Sequence, residues 1–292
     1  MTTQSVCAVI VTYHPSTSIL EHTADVLAQV QGLAVVDNGS GADDIESLRS
    51  ASRRQGGFHL IENGKNLGIA EALNQGIRWA KDEGYRWVVL FDQDSKVTEG
   101  FIREMFAAWE SYSERERVAS VYPRYANPDT GVELSVPRAA DNSPILPMTS
   151  GTLMPVWIFD RIGWFASEYF IDVVDWEYGF RIRAAGYLLL DAKHARLLHA
   201  AGFPTETAFL GRTFQSSQHS AVRRYYISRN CIAFYRKYFF RFPGWILKCM
   251  YKQMRDIVVS SFAEEDRWLK FRNFLLGTWD GLTGKMGERK AL

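Results

Sequence analysis

The sequence predicts an α/β fold, a Rossmann-like and mostly parallel sheet flanked by helices, with a helical extension at the C-terminal end. Three observations predict it. Short apolar runs alternate with amphipathic stretches over about the first 120 residues, the pattern of repeated βαβ units joined by right-handed crossovers. The run Trp87-Val88-Val89-Leu90-Phe91 is apolar throughout, as suits a strand buried on both faces. The notable polar residues fall just after successive runs, where open α/β sheets bind their ligands.

Taken in order, the first strand is Val6 to Val11, ending at Thr12-Tyr13. His14-Pro15-Ser16 makes a turn, and an amphipathic helix follows from Ser18 to Val30. Leu33 to Val36 is the second strand, stopped by the turn-forming cluster Asp37-Asn38-Gly39-Ser40. A helix over Asp43–Arg54, a strand over Phe58–Ile61 and a helix over Ile69–Lys81 lead to the Trp87 strand. From Ala119 to Ser150 the pattern is broken by Pro123, Pro128, Pro137, Pro144 and Pro147, which reads as a long connection serving as a binding surface or lid. Helical spacing returns over Val156–Ile162 and Asp175–Ala185. Composition shifts after Phe203, so the expected division is a domain over 1–203 and an extension over 204–292.

A chain of 292 residues accommodates one α/β body with an appendage. A net charge of +1 excludes a dedicated nucleic-acid binder, which carries a large basic excess. Cys7, Cys231 and Cys249 are too scattered for a disulfide framework or a zinc site, which points to a reducing compartment. The N-terminus lacks the layout of a signal peptide. No apolar stretch approaches the roughly 20 residues of a spanning helix. The expectation is a cytoplasmic, non-spanning protein.

Asp92-Gln93-Asp94 emerges from the end of the Trp87 strand. Two converging carboxylates without basic neighbours suit Mg²⁺ or Mn²⁺, particularly one shared with substrate phosphates; a polar turn capping the next helix is the bland alternative. Thr12, Tyr13, Asp37, Asn66, Asp92 and Asp94 all follow strands, so sequence order brings them to one sheet edge. A second carboxylate group lies in Phe170–Arg181. Glu177 and Arg181, four apart, fit a salt bridge on a solvated helix face. Asp175 fits a helix N-cap, or a general base whose pKa is raised by Val173, Val174 and Trp176. His199 follows the apolar strand end Arg196-Leu197-Leu198. It reads as a structural histidine or as a third metal ligand.

Together these segments resemble the inverting family 2 glycosyltransferases of GT-A fold, and among them the bacterial rhamnosyltransferases. The matching runs are Ala8–Tyr13, Val36–Ser40, Asn66–Ala70, Asp92–Asp94, Ser150–Thr152, Phe170–Asp172 with Asp175–Glu177, Arg229-Asn230, and Asp280–Leu282 with Gly284 and Gly287. The resemblance implies a nucleotide-sugar site made of Thr12, Tyr13, Asp37, Asn38, Asn66, Gly68, Asp92, Gln93 and Arg229, with the Asp37 carboxylate accepting from a pyrimidine N3–H. It implies Mg²⁺ or Mn²⁺ on Asp94, with His199 completing the set, to neutralise a diphosphate leaving group. Asp175 becomes the base that deprotonates the acceptor hydroxyl, and Ser150, Gly151, Trp176 and Glu177 line the acceptor side. The family's commoner Glu-Asp pair is Val174-Asp175 here, which leaves one carboxylate for the base. The implied donor is dTDP-β-L-rhamnose, with a UDP-hexose or UDP-galactofuranose as alternative, and the acceptor a cell-envelope glycan or lipid-linked sugar. The spanning helices of processive synthases are not expected here, which favours transfer of one residue.

Two rivals make different products. A haloacid dehalogenase-type phosphatase carries Asp-x-Asp near the start of its domain, whereas several βα units precede Asp92. A non-catalytic glycan-binding relative would not be expected to keep all three carboxylate groups. The segment Arg223–Arg255 has nine basic residues among ten aromatic ones and no acid. It reads as a dock on the inner leaflet, as helix packing on the first domain, or as the interface of a homo-oligomer, with Arg223, Arg224 and Arg229 as further candidates to face the donor diphosphate.

Overall fold

In the computed structural model, all seven residues of Val6–Thr12 (β1) are buried, and this strand sits at the heart of the sheet. The structure describes residues 5–134, 136–139, 143–199, 205–209, 212–216 and 218–289, the side chains of 205–209, 212–216 and 259–263 excepted. Along the chain follow Ile19–Leu27 (α1), Gly32–Asp37 (β2), Ala42–Arg54 (α2), Phe58–Glu62 (β3), Ile69–Asp82 (α3), Trp87–Asp92 (β4), Lys96–Val97 (β5) and Phe101–Glu110 (α4). Val118–Ala126 (β6), Thr152–Pro155 (β7), Trp157–Ile162 (α5), Val174–Ala184 (α6) and Leu188–Leu198 (β8) complete this part. The strands form one eight-stranded sheet in the order β3-β2-β1-β4-β7-β6-β8-β5. β1, β2, β3 and β4 are mutually parallel, while β7 runs against both β4 and β6.

Strand alternation decides which helices cover which face. Ala8, Ile10, Leu33 and Val35 share a core with Ile19 and Val26 of α1, Leu48 of α2 and Met105 and Phe106 of α4. Val9 and Val36, pointing the other way, meet α3. There Gly76 allows close approach, since a Cβ on it would lie 2.4 Å from a Val9 methyl.

The proline-rich connection expected over 119–150 contains a strand in its first part. β6 pairs in parallel with β8 across a register shift between Tyr122 and Arg124, and Pro123 sits in that shift. A proline has no N–H to give a ladder, so a break in register is where a strand tolerates one.

The chain divides into two compact units, one of Met1–Ala166 with Tyr178–Ala200 and the other of Ser167–Glu177 with Ala201–Leu292. The boundary expected at 203/204 lies outside the described residues. The second unit is not wholly helical: Thr205–Phe209 (β9) and Arg212–Ser216 (β10) form an antiparallel hairpin before Ala221–Tyr238 (α7), Pro243–Ala263 (α8) and Arg267–Thr283 (α9). Ser220 caps α7, its hydroxyl accepting from the Arg223 amide at 3.2 Å. α7 and α9 pack backbone against backbone. A Cβ on Gly277 would stand 2.3 Å from the Tyr225 carbonyl oxygen, and one on Gly281 2.6 Å from that of Arg229. Among the described residues, no helix is long and apolar enough to cross a membrane.

The second unit also holds a buried charge group. The Glu264 carboxylate accepts from Arg224 and Lys270, each at 2.8 Å. His219 lies beside it, its pKa pushed down to about 4, first by burial and then by Arg223, Arg224 and Lys270, with Glu264 opposing. The folded state therefore binds the His219 proton more weakly than the unfolded chain. The resulting stability is present above the usual histidine pKa of about 6.5 and is lost as pH falls from there through about 4. His219→Gln should flatten that decline: in urea titrations at several pH values, the wild type should lose more stability than the variant between those limits.

Candidate active site

The parallel register aligns the strand ends. Thr12 pairs with Asp37, Asp37 with Glu62, and Val11 with Asp92, so the loops that follow β1, β2, β3 and β4 rise along one edge. The Asp37 carboxylate is entirely buried. One oxygen accepts from the Thr12 hydroxyl at 3.1 Å and from the Ser40 hydroxyl, and the other from the amides of Gly39 and Ser40 at 3.1 and 2.9 Å. In this structure Asp37 is thus engaged by its own loop and by the end of β1, and an N3–H contact requires it to release one of these donors.

Two asparagines join that loop to the next. Asn38 Nδ2 donates to Asn66 Oδ1 at 2.9 Å, and Asn38 Oδ1 accepts from the Leu67 amide at 3.0 Å. The Gly68 amide closes onto Asn66 Oδ1 at 2.9 Å, with Gly68 at φ +85°, ψ 155°, a region open to glycine alone. Gln93 reaches back to β1. Its Oε1 accepts from the Tyr13 amide at 2.8 Å and its Nε2 donates to the Tyr13 carbonyl at 3.3 Å. Tyr13 itself stands 47% exposed, an aromatic face presented at the strand end.

Asp92, Asp94 and His199 each bring one potential ligand atom within 4.8 Å of the others. Two carboxylate oxygens and an imidazole nitrogen form a donor set that suits Mn²⁺ or Mg²⁺. The histidine is aimed by a relay of hydroxyls. Its Nδ1 lies 2.9 Å from Ser95 Oγ, which lies 2.6 Å from Ser150 Oγ, which accepts from the Asp92 amide at 3.1 Å. Nε2 is left facing Asp92 at 4.0 Å. Tyr125 anchors the relay from behind, its hydroxyl donating to the Ser150 carbonyl at 3.0 Å. Ser150 therefore supports the Asp92 turn instead of lining an acceptor side. Gly151 is there for space: at φ +77° its Cβ would stand 2.8 Å from both Leu197 and Pro123. His22, under the same turn, is buried edge-on to Phe91 at 5.8 Å. Its pKa is pushed down to about 4, mainly by burial, with Asp25 and Asp94 opposing.

The second carboxylate group belongs to the second unit through Glu177. Phe170, Asp172 and Val173 adopt φ of 64°, 64° and 65°, a left-handed region costly for any side chain and most for a β-branched one. Asn230 holds this shape, its Nδ2 lying within 2.9 Å of the carbonyls of Tyr169, Ile171 and Asp172. The Asp172 carboxylate, its pKa raised by burial and drawn back by Arg223, takes Arg223 bidentately at 2.9–3.2 Å. α6 begins at Val174, so Asp175 lies inside its first turn and not at the N-cap, half-buried, with its Oδ1 accepting from the Trp176 amide at 2.9 Å.

Several expected roles change. Arg229 is 1% exposed and donates to the backbone carbonyls of Glu168, Tyr169 and Gly287, so it is a structural clamp and not a donor contact. Arg223 and Arg224 are likewise engaged with Asp172 and Glu264. Glu177 is wholly buried and accepts from Lys237 at 2.7 Å and Tyr238 at 2.9 Å, which removes it from an acceptor surface. Trp176 lies edge-on to Phe234 at 6.4 Å, with Lys252 over its ring at 5.9 Å. The sequence reading missed Ser95, Tyr125 and His22. Only Ser95, next to Asp94, carried a local signal.

The sheet, with its switch of strand direction, has the layout of a GT-A fold, and the carboxylate–histidine group lies at its edge. Residues 7–157 match the model of "Glycosyl transferase family 2", and the chain belongs to that family. It is 26% identical over 299 residues to the dTDP-rhamnosyl transferase RfbF of Shigella flexneri, covering 97% of each chain. Among solved structures it resembles the mannosyltransferase PcManGT of Pyrobaculum calidifontis in complex with GDP-Man and Mn²⁺, with a TM-score of 0.61, 13% identity, and 96% and 87% of the two chains covered. It also resembles GalNAc-T7 with UDP, GalNAc and Mn²⁺, with a TM-score of 0.56, 14% identity, and 67% and 43% covered. These structural likenesses establish the fold, and the family establishes a glycosyltransferase.

Ser95→Ala should leave His199 Nδ1 without its hydroxyl. Outer-shell changes of this kind typically cost about 10–100-fold in metal affinity. Calorimetric titration with Mn²⁺ should show that weakening, with a fall of only a few degrees in melting temperature from the lost buried bonds.

Proposed function

We propose that the protein transfers a single L-rhamnose from dTDP-β-L-rhamnose to a hydroxyl of a cell-envelope glycan or lipid-linked acceptor, giving an α-linked product. The observation that carries the reading is the Asp92–Asp94–His199 cluster at the C-terminal edge of a family 2 sheet, and the rhamnosyl relative covering 97% of the chain supports the choice of sugar. Unit 1 is then the donor domain. Tyr13 offers its ring to the base, and Thr12, Asp37, Asn38, Asn66 and Gly68 shape the loops against base and ribose. Gln93 fixes Tyr13, and Asp92 helps place the sugar diphosphate.

Asp94 and His199, with Asp92, would hold Mg²⁺ or Mn²⁺, which supplies positive charge against the leaving diphosphate. Asp175 takes the proton of the acceptor hydroxyl. The freed oxygen pair attacks the anomeric carbon from the face opposite the diphosphate, the C–O bond to the nucleoside diphosphate breaks, and the configuration inverts.

The test is turnover with a panel of nucleotide sugars. dTDP-rhamnose should react and release dTDP, and Asp175→Asn should lower the rate by about 10²–10⁴-fold, the usual range for general base catalysis, with donor binding kept. Turnover of UDP-hexoses alone would overturn the donor, and near wild-type turnover of Asp175→Asn would overturn the base.

A further inference from the structure

α8 and α9 carry more apolar surface than they bury. Ile246, Cys249 and Ile257 seat α8. A second stripe on the same helix, Leu247, Met250, Tyr251, Met254 and Val258, recurs at helical spacing and is exposed, Tyr251 by 74%. Lys248, Lys252 and Arg255 form a third, cationic stripe beside it.

On α9, Asn273, Gly277, Asp280 and Gly281 are buried, the glycines directly against the α7 backbone. Away from that contact run Trp268, Phe271, Leu275, Trp279 and Leu282, at spacings of three and four residues, with Trp268 75% and Trp279 62% exposed. Arg272 borders this stripe. The single acid of α9, Asp280, is buried beneath Tyr225 and Arg289, and the single acid of α8, Asp256, pairs with Arg255 at 2.9 Å.

A helix seated by one side is expected to turn a polar side to water, and contiguous apolar exposure of this kind marks a docking surface. The charge pattern selects the occupant. Tryptophan, leucine and methionine bordered by lysine and arginine, with the one acid of each helix paired with an arginine, match an anionic lipid surface. A symmetric pairing of two copies would bring each patch against its own cations.

We propose that the outer faces of α8 and α9 dock the protein on an anionic lipid bilayer, with cations at the headgroups and the tryptophans at the headgroup–acyl boundary. The sequence placed such a surface over Arg223–Arg255. Its α7 portion is interior, with Arg224, Tyr225, Tyr226, Arg229, Phe234, Tyr235 and Tyr238 all buried, and the surface shifts toward α9. The inference does not depend on which sugar is transferred.

The full chain is sedimented with phosphatidylcholine vesicles and with vesicles that also contain phosphatidylglycerol. Binding is expected to the second kind only and to weaken with salt. The exposed pairs Trp268→Ser with Trp279→Ser, and Lys248→Gln with Arg272→Gln, should each lower it by about tenfold or more, with melting temperature unchanged. Equal behaviour toward both vesicles, or wild-type binding by both double variants, overturns the proposal. A lipid-free dimer in analytical ultracentrifugation that the tryptophan variant converts to monomer also overturns it, by assigning the surface to a second copy.

Discussion

The parallel register of β1 against β2 and β4 is the constraint on which the candidate site depends. Thr12 meets Asp37 in one direction and Val11 meets Asp92 in the other, so three loops leave the sheet at one level. A slip of one residue would turn every side chain to the opposite face. Val9 would then face the core filled by α1 and α4, and Ile10 would meet the narrow space opposite Gly76. Burial on both faces thus fixes the register, and the register fixes the height at which the polar residues emerge.

Polar contacts finish what burial starts. Nearly every loop residue of the first unit's site is held by another loop: Asn38 by Asn66, Tyr13 by Gln93, Asp92 by Ser150, His199 by Ser95. A typical bond of this kind contributes about 1 kcal/mol net, so their main effect is geometric, a set of polar side chains placed in advance. The buried ion pairs of the second unit differ in scale. Removing one partner from a group such as Arg224–Glu264–Lys270 costs about 3–5 kcal/mol because a buried charge is left behind, whereas an exposed pair such as Arg49–Glu46 contributes about 0–1 kcal/mol.

β1, β2 and β4 were legible because a doubly buried parallel strand has one sequence solution, an unbroken apolar run. β6 was not, since its proline suggests irregularity until the register shift that absorbs it is seen. The carboxylates and His199 were legible by type and position after strands. Their supports were not: Ser150 read as an acceptor-side residue, and nothing local distinguishes Tyr125 from any buried polar residue, because their partners lie elsewhere in the chain. Arg229 shows the opposite failure. A cation in a matching motif suggested phosphate, but its donors are consumed by backbone carbonyls that only the folded chain brings to it. The basic aromatic segment misled for a related reason, since an α-helix sorts such residues by face and composition does not.

α7 gives the Ser167–Glu177 segment its shape from a distance in sequence. Arg223, Arg229, Asn230 and Lys237 each contact it, at Asp172, at Glu168 and Tyr169, at the left-handed turn, and at Glu177. The turn's strained backbone is therefore encoded mostly outside the turn. Loop exchange between relatives would move the letters without the conformation. A chimera that grafts this turn has to carry α7 along as one cassette with residues 167–177, even though about 45 residues separate them.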